Sequence, residues 1–205
     1  MRDCTAFTFD GTTHHLACLT GQVRIETVAG SRLMEELQLG ELVRTKDNGP
    51  QPVRWIGYGT VPGRGQNAPI RIQAGALGNR RDLIVSPTHR MYLTGGVLET
   101  FFDVGSAFVA AQHLVNGSSV TIAPRDEVTY YHLMFDRHEV IYAEGALSES
   151  FHPGREYISA IREAGQTRMF ELFPDLADGT PRPEAAPTLT PVQTQYLAQN
   201  LSLMG

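Results

Sequence analysis

Leu16-Ala17-Cys18-Leu19-Thr20-Gly21-Gln22-Val23-Arg24-Ile25-Glu26-Thr27 sets a cysteine directly ahead of the first run with β character. From residue 22 to about 151, short runs rich in Val, Ile, Thr and aromatics alternate with turn signals, the pattern of half-buried strands. Gln22–Val28, Glu41–Thr45, Val53–Val61, Ile70–Gln73, Leu83–Val85, Ser119–Ala123 and Val128–Phe135 are the predicted strands. Asp47-Asn48-Gly49-Pro50 is a turn between two of them, because Asn-Gly tolerates positive φ. Ala29-Gly30-Ser31 is a second hairpin candidate, and Arg32–Leu37 leads into a tight corner at Leu39-Gly40-Glu41. There is no βαβ alternation and no fixed-period repeat, so the expectation is a mainly β domain.

The pattern changes after Pro153-Gly154. Glu156–Glu163 and Arg168–Phe173 are predicted helices, and Ala177–Pro187 is a linker rich in Pro, Asp and Ala. Thr190-Pro191 opens a last helix, with Thr as N-cap and Pro at the first helical position. Val192, Tyr196, Leu197 and Leu201 form its expected apolar stripe. The C-terminal part is thus a small α appendage packed on the β domain, or a docking element. Residues 1–17 are polar and aperiodic and read as a flexible lead-in.

The chain has 205 residues, 41% hydrophobic and 19% charged, with a formal net charge of −5. That balance gives no reason to expect a nucleic-acid or anionic-membrane surface. No apolar run approaches the roughly 18–20 residues that span a bilayer. MRDCTAFTFDGTTHHLA has no continuous apolar core, so no classical signal peptide is expected and the cytoplasm is the default compartment. Two cysteines, Cys4 and Cys18, cannot build a disulfide framework. A single bridge between them and a lone nucleophilic thiol both fit the count. Seven histidines raise the question of a metal, but no CxxC, HxxxH or HExxH spacing occurs, and neither metal nor cofactor is expected.

Several residues are candidates for chemistry, each with a plain structural alternative. Cys18 alone could be a small core residue, since unoxidised Cys is among the most buried types. Ser86-Pro87-Thr88-His89 follows the strand at 82–85. A Ser and a His three apart at a strand end could share one polar site, or Ser86 could merely cap a turn. His132 would share a strand face with Tyr130 and Met134; His132 and the nearby His138 could line a site or complete a half-buried network.

Taken in order, these segments resemble the Hint family, the self-cleaving fold shared by hedgehog proteins and inteins. Cys18–Thr27 is similar to the family's opening block, and Leu33–Val43 to its "xxELxxGDxV" stretch. Ser86-Pro87-Thr88-His89 resembles the Thr-x-x-His block with Ser for Thr. Tyr131–Gly145 is similar to the penultimate block, where His138 falls near that block's His, and Gly145–Phe151 to the closing strand. The phrases NGPQPVRWIG at 48–57 and LIVSPTHR at 83–90 look closest to bacterial Hint proteins. The resemblance divides the chain into a flanking segment at 1–17, a Hint domain at 18–151 and a helical extension at 152–205. It implies a horseshoe-like β fold whose first and last strands meet at one site.

The resemblance also implies an N–S acyl shift, in which the Cys18 thiol attacks the Ala17 carbonyl and turns the Ala17–Cys18 peptide into a thioester. A thiol of ordinary pKa about 8.5 needs activation. His89 would protonate the leaving nitrogen, Ser86 would position the same peptide, and His132 or His138 could assist a second step. Splicing inteins end in His-Asn before Cys, Ser or Thr. Glu149-Ser150 stands there instead, so neither C-terminal cleavage nor splicing is expected. The pattern is hedgehog-like, with an outside nucleophile resolving the thioester. In hedgehog proteins that nucleophile is cholesterol; nothing in 152–205 reads as sterol-binding, so water or a small thiol or amine is the expected acceptor, and residues 1–17 are the substrate flank. A catalytically silent Hint module is the main alternative. A conventional hydrolase using Cys18, His89 and Asp103 or Asp136 is the third.

Overall fold

The computed structural model describes residues 5–6, 17–163, 168–178 and 182–199. Its strands are β1 (Thr5–Ala6), β2 (Leu19–Thr20), β3 (Arg24–Thr27), β4 (Gly30–Leu33), β5 (Leu42–Arg44), β6 (Pro50–Pro52), β7 (Trp55–Pro62) and β8 (Ile70–Ile72). They continue as β9 (Leu83–Val85), β10 (Arg90–Thr94), β11 (Ser106–Ala110), β12 (Val120–Ile122), β13 (Glu127–Met134), β14 (Val140–Ala143) and β15 (Ala146–Glu149). The helices are α1 (Gly96–Phe102), α2 (Arg155–Glu163), α3 (Arg168–Leu172), α4 (Pro174–Ala177) and α5 (Pro191–Gln199). The fold is mainly β, as the alternation of short runs and turns predicted, and α2 to α5 follow the last strand.

Two sheets form, one in the order β1-β7-β13-β2-β9-β8-β12 and the other β11-β10-β15-β14-β3-β5-β6, with β4 paired to β3. Alternate residues of the strands turn inward and interdigitate. Val23, Ile25, Val43, Ile56, Ile72, Leu83, Met91, Leu133 and Ile141 are all buried in one core. Each such side chain contributes roughly 1.5–3 kcal/mol by leaving water. Gly49 closes the β5–β6 turn at φ +64, the conformation that Asn-Gly supplies. The β3–β4 turn falls one residue earlier than expected, at residues 28–29, with Gly30 already paired to Thr27.

One element was not anticipated and one local expectation is corrected. A short helix, α1, occupies 96–102, where Gly95-Gly96 gave no helical signal. It ends at Asp103 in the left-handed conformation, φ 54. The stripe expected on α5 is also out of phase: Val192 is 76% exposed, whereas Thr194 and Leu197 are fully buried. Packing against residues 111–114 selects that face, and Tyr196 meets the rings of Phe101 and Phe102 edge-on at 5.1 and 6.4 Å. Leu201 and most of the 1–17 lead-in lie outside the described residues. Within that lead-in, Thr5–Ala6 pairs in parallel with Gly57 and Tyr58 of β7.

One feature of the topology decides where chemistry can occur. The two-residue strand β2 is inserted between β13 and β9, with Leu19 opposite both Tyr131 and Val85. The residue before it, Cys18, is therefore brought beside the residue after Tyr131 and the residue after Val85. Those residues are His132 and Ser86.

Candidate active site around Cys18

Cys18 is 3% exposed and is not disulfide-bonded. Its backbone is gripped by the Ser86 turn from both sides. The Ser86 N–H donates to the Cys18 carbonyl at 3.0 Å, and the Cys18 N–H donates to Ser86 Oγ at 3.0 Å. The nitrogen of the Ala17–Cys18 peptide thus sits on a hydroxyl. On the other side, His132 Nδ1 lies 3.0 Å from the carbonyl oxygen of Ala17. A carbonyl only accepts, so Nδ1 must carry the ring proton, which leaves Nε2 as a bare lone pair. Both ends of one peptide bond are held, the oxygen by an imidazole N–H and the nitrogen by Ser86.

The thiol lies over the same imidazole, with Sγ 3.5 Å from both ring nitrogens. Equal distances place the sulfur above the ring rather than along either nitrogen's in-plane axis. A small rotation of the Cys18 side chain or of the ring would bring S–H onto Nε2. Burial pushes the Cys18 thiol well above its ordinary pKa; the Ser86 hydroxyl opposes this and the Glu149 charge adds to it. A resting thiol is protonated, and any attack from it needs a base at hand. Burial also lowers His132 to about 4, against the Ala17 carbonyl, which raises it, and with His89, which lowers it further. A neutral imidazole is the form that can accept a proton.

His89, the other expected member, is 1% exposed and lowered to about 4, mainly by burial. Its Nε2 lies 2.6 Å from Ser148 Oγ, and its Nδ1 is buried without a hydrogen-bond partner. It does not hold the Cys18 amide, whose proton goes to Ser86. His138 is placed elsewhere. Its Nδ1 accepts from the Ala185 N–H at 3.2 Å, its Nε2 is 3.6 Å from Glu149 Oε2, and its ring stacks on Phe108 and His152 at 5.0 and 4.6 Å. Glu149 is fully buried, yet its carboxyl is held below the ordinary range. Burial opposes this, and His138 and Arg90 outweigh it. Arg90 donates to Glu149 twice at 2.6 Å, through its backbone N–H and through Nε. Of the carboxylates considered for a hydrolase, Asp103 is exposed, and Asp136 is a surface residue paired with Arg54. Neither is with Cys18.

The sequence alone did not single out the walls of the site. Cys18 shares one apolar cluster with Trp55, Tyr130, Met134 and Phe151, and with Tyr157, Ile158, Met169, Phe173 and Leu176 of the segment carrying α2 to α4. Phe151 is 4.7 Å from the His132 ring, ring centre to ring centre, and Trp55 and Tyr157 are each 6.4 Å away. The helical extension therefore packs over Cys18 as part of its enclosure. Among the described residues no group of three or more His, Cys, Asp or Glu could hold a metal ion, and no helix is long and apolar enough to cross a membrane.

Comparison with known proteins bears on what this arrangement is. A family model described as the Hint domain matches residues 17–155. Among solved structures, a bacterial intein-like domain from Clostridium thermocellum is 15% identical, covering 65% of this chain and 98% of its own, with a TM-score of 0.42. A DnaB intein from Synechocystis is 9% identical, covering 65% and 97%, with a TM-score of 0.43. The AceL NrdHF class 3 split intein, a splice-inactive variant, is 17% identical, covering 67% and 99%, with a TM-score of 0.44. No curated protein matches in sequence.

Proposed function

The chain belongs to the Hint domain family, and on that premise we propose that it is a self-processing domain that converts the Ala17–Cys18 peptide into a thioester and does not splice. The observation that carries this reading is the position of His132, whose Nδ1–H holds the Ala17 carbonyl oxygen at 3.0 Å while the Cys18 sulfur rests 3.5 Å from the same ring. The thiol proton passes to Nε2 of His132 as Sγ bonds to the Ala17 carbonyl carbon. The resulting oxyanion keeps the Nδ1–H bond, the kind of donor whose loss costs roughly 10²–10³ in rate. Collapse breaks the carbon–nitrogen bond, and the Cys18 nitrogen leaves as an amine with one added proton. The rearrangement is an isomerisation, so the proton lost by sulfur is matched by the one gained on nitrogen. Ser86 positions that nitrogen, and His89, in the same turn, gives it the ring proton as it leaves and recovers one from His132, which took sulfur's proton, so both rings end neutral.

In this reading residues 1–17 are the acyl flank, 18–151 the Hint domain and 152–205 an extension that encloses the site. Release without splicing is supported by Glu149-Ser150 at the closing strand. Glu149 is locked by Arg90, and Ser150 Oγ accepts from the Glu139 N–H at 2.8 Å. No asparagine stands there to cyclise. His138 takes no part in the first step. The acceptor is water or a small thiol or amine.

The alternative, a Hint fold kept as a silent binding module, draws on a specific observation as well. Cys18 is 3% exposed under Tyr157, Met169 and Phe173, so an outside acceptor must wait for that cover to move. The deciding experiment fuses a folded tag ahead of residue 1 and follows intact mass with and without millimolar thiol. Thiol-accelerated loss of the tag together with residues 1–17, absent in Cys18→Ala, is expected. A fusion intact after days at neutral pH in both conditions would favour the silent module.

A further inference from the structure

His89 presents two nitrogens, and the acyl shift as argued uses only one. The other, Nε2, is 2.6 Å from Ser148 Oγ. Both residues are buried, at 1% and 0% exposure. Ser148 lies on β15, opposite Met91 of β10 and Ile141 of β14. Its neighbours across the sheet are thus apolar side chains at the centre of a strand. A hydroxyl in such a place costs stability unless it is hydrogen-bonded, and an apolar residue would fill the position without that cost. His89 is the hydroxyl's partner.

The pair restricts where the imidazole keeps its proton. A neutral ring has one donor and one acceptor nitrogen. Were Nε2–H to donate to Ser148, the serine hydroxyl would be left with a proton and no acceptor, and Nδ1 with a bare lone pair. If the hydroxyl donates to Nε2, the ring proton sits on Nδ1, the nitrogen that is buried without a partner. Either arrangement leaves one donor over, but an imidazole nitrogen is a better acceptor than a hydroxyl oxygen, so the second makes the stronger bond and is favoured.

We infer that Ser148 is a positioning residue for the acyl shift: its hydroxyl donates to His89 Nε2, fixes the ring proton on Nδ1, and keeps that N–H for the Cys18 nitrogen as it separates from Ala17. The inference rests on the self-processing reading for its purpose, though not for its geometry. In the resting peptide the nitrogen lone pair is delocalised into the carbonyl and accepts nothing. Once Sγ has added to the carbonyl carbon, the lone pair localises and becomes the acceptor that Nδ1–H lacks. The hydrogen bond then forms in the transition state and not before, which is the condition for an interaction to speed the step. Ser148 itself makes and breaks no covalent bond.

The test has two independent readouts. The first is the nitrogen NMR of histidine-labelled full-length protein carrying Cys18→Ala, with the His89 signal assigned by its loss in His89→Gln. At pH 7 the expected spectrum shows a bare Nε2 and a protonated Nδ1, and Ser148→Ala shifts population to the Nε2–H form. A ring already protonated on Nε2 with Ser148 present, or a spectrum that Ser148→Ala leaves unchanged, overturns the assignment. The second is thiol-dependent cleavage of the tagged chain. Ser148→Ala is expected to slow it by about tenfold, the scale of one positioning hydrogen bond, and Ser148→Thr to restore it. Unchanged cleavage in Ser148→Ala overturns the role. If the tag is never released but the tautomer responds to Ser148→Ala, the tautomer assignment stands and the self-processing reading is the one that fails.

Discussion

Two buried neutral histidines, His89 and His132, make the protein acid-labile in a window that can be worked out beforehand. His89 and His132 are each 1% exposed and lowered from 6.5 to about 4, mainly by burial. At pH 7 both are neutral whether the chain is folded or not, so they cost nothing. Below about pH 6.5 the unfolded chain takes up protons that the folded chain refuses, and stability falls until the folded histidines titrate near pH 4. Each pH unit of that gap is worth about 1.4 kcal/mol, so each histidine removes roughly 3 kcal/mol by pH 4, and the two together about 6. That is a large share of the roughly 5–15 kcal/mol that holds a domain folded. His152, also lowered to about 4, adds to the slope, but less, because solvent reaches it. Glu149, whose carboxyl is lowered, loses its contribution as pH falls from the ordinary carboxylate range to its own depressed value, at and beyond the acid end of the histidine window. Urea unfolding of the Cys18→Ala chain at intervals from pH 7 to 4.5 measures the slope. His132→Phe, which keeps an aromatic ring against Phe151 and Trp55, should take out about one proton's worth. Equal stability at pH 7 and pH 5, or a slope unchanged in His132→Phe, would refute the claim that both rings are buried and neutral.

The remaining predictions concern the chemistry and its frame. Cys18→Ala should abolish release of residues 1–17 while leaving the thermal midpoint within a few degrees, and Cys4→Ala should change nothing; loss of release in Cys4→Ala would mean the nucleophile is misassigned. His89→Ala should slow thioester formation by roughly 10²–10⁴, as followed by thiol-induced cleavage. His132→Ala should slow it by a similar factor, and His132→Gln, which retains an N–H for the Ala17 carbonyl but no base, should recover part of the oxyanion contribution; identical rates in the two variants would argue against a separate hold on the oxygen. Arg90→Met strands the Glu149 carboxylate and should cost about 3–5 kcal/mol in denaturant unfolding at pH 7, whether or not the chain cleaves.

The strands were legible because their signal is local. A buried strand alternates, and Val23, Ile25 and Thr27, or Leu83 and Val85, do so in the sequence as they do in the sheet. The cap of α5 was legible for the same reason. Thr190 and Gln193 bond reciprocally, the Thr190 N–H to Gln193 Oε1 at 2.9 Å and the Gln193 N–H to Thr190 Oγ1 at 3.4 Å, a pattern contained in four residues. The face of α5 was not, because which side of a helix is buried depends on what it lands on. With Val192, Thr194 and Leu197 all available, residues 111–114 and the rings of Phe101 and Phe102 decided. The helix α1 was missed because Gly95 and Gly96 carry the strongest local mark of a turn, and the helix forms just after that mark.

The site divides along the same line. Cys18, Ser86 and His89 could be named from the order of short motifs. The weight His132 carries is set by strand register, since pairing Leu19 with Tyr131 places the next residue of β13 beside Cys18, and a slip of one residue would have presented the opposite face. His138, six residues on in the same stretch, belongs to a different group, because the chain turns between β13 and β14 and carries it to Glu149 and the 184–189 segment. There Arg90 Nη1 reaches Glu184 and Thr188 at 2.9 and 2.7 Å, while the backbone of Phe108 accepts and donates to Leu189 and Pro187. That strapping links the helical extension to the surroundings of Cys18. The same extension that is tied down at Arg90, His138 and Phe108 supplies Tyr157, Met169 and Phe173 to the wall around Cys18. The burial that raises the thiol pKa and lowers the two histidines is thus built jointly by the β domain and by residues outside its sequence motifs.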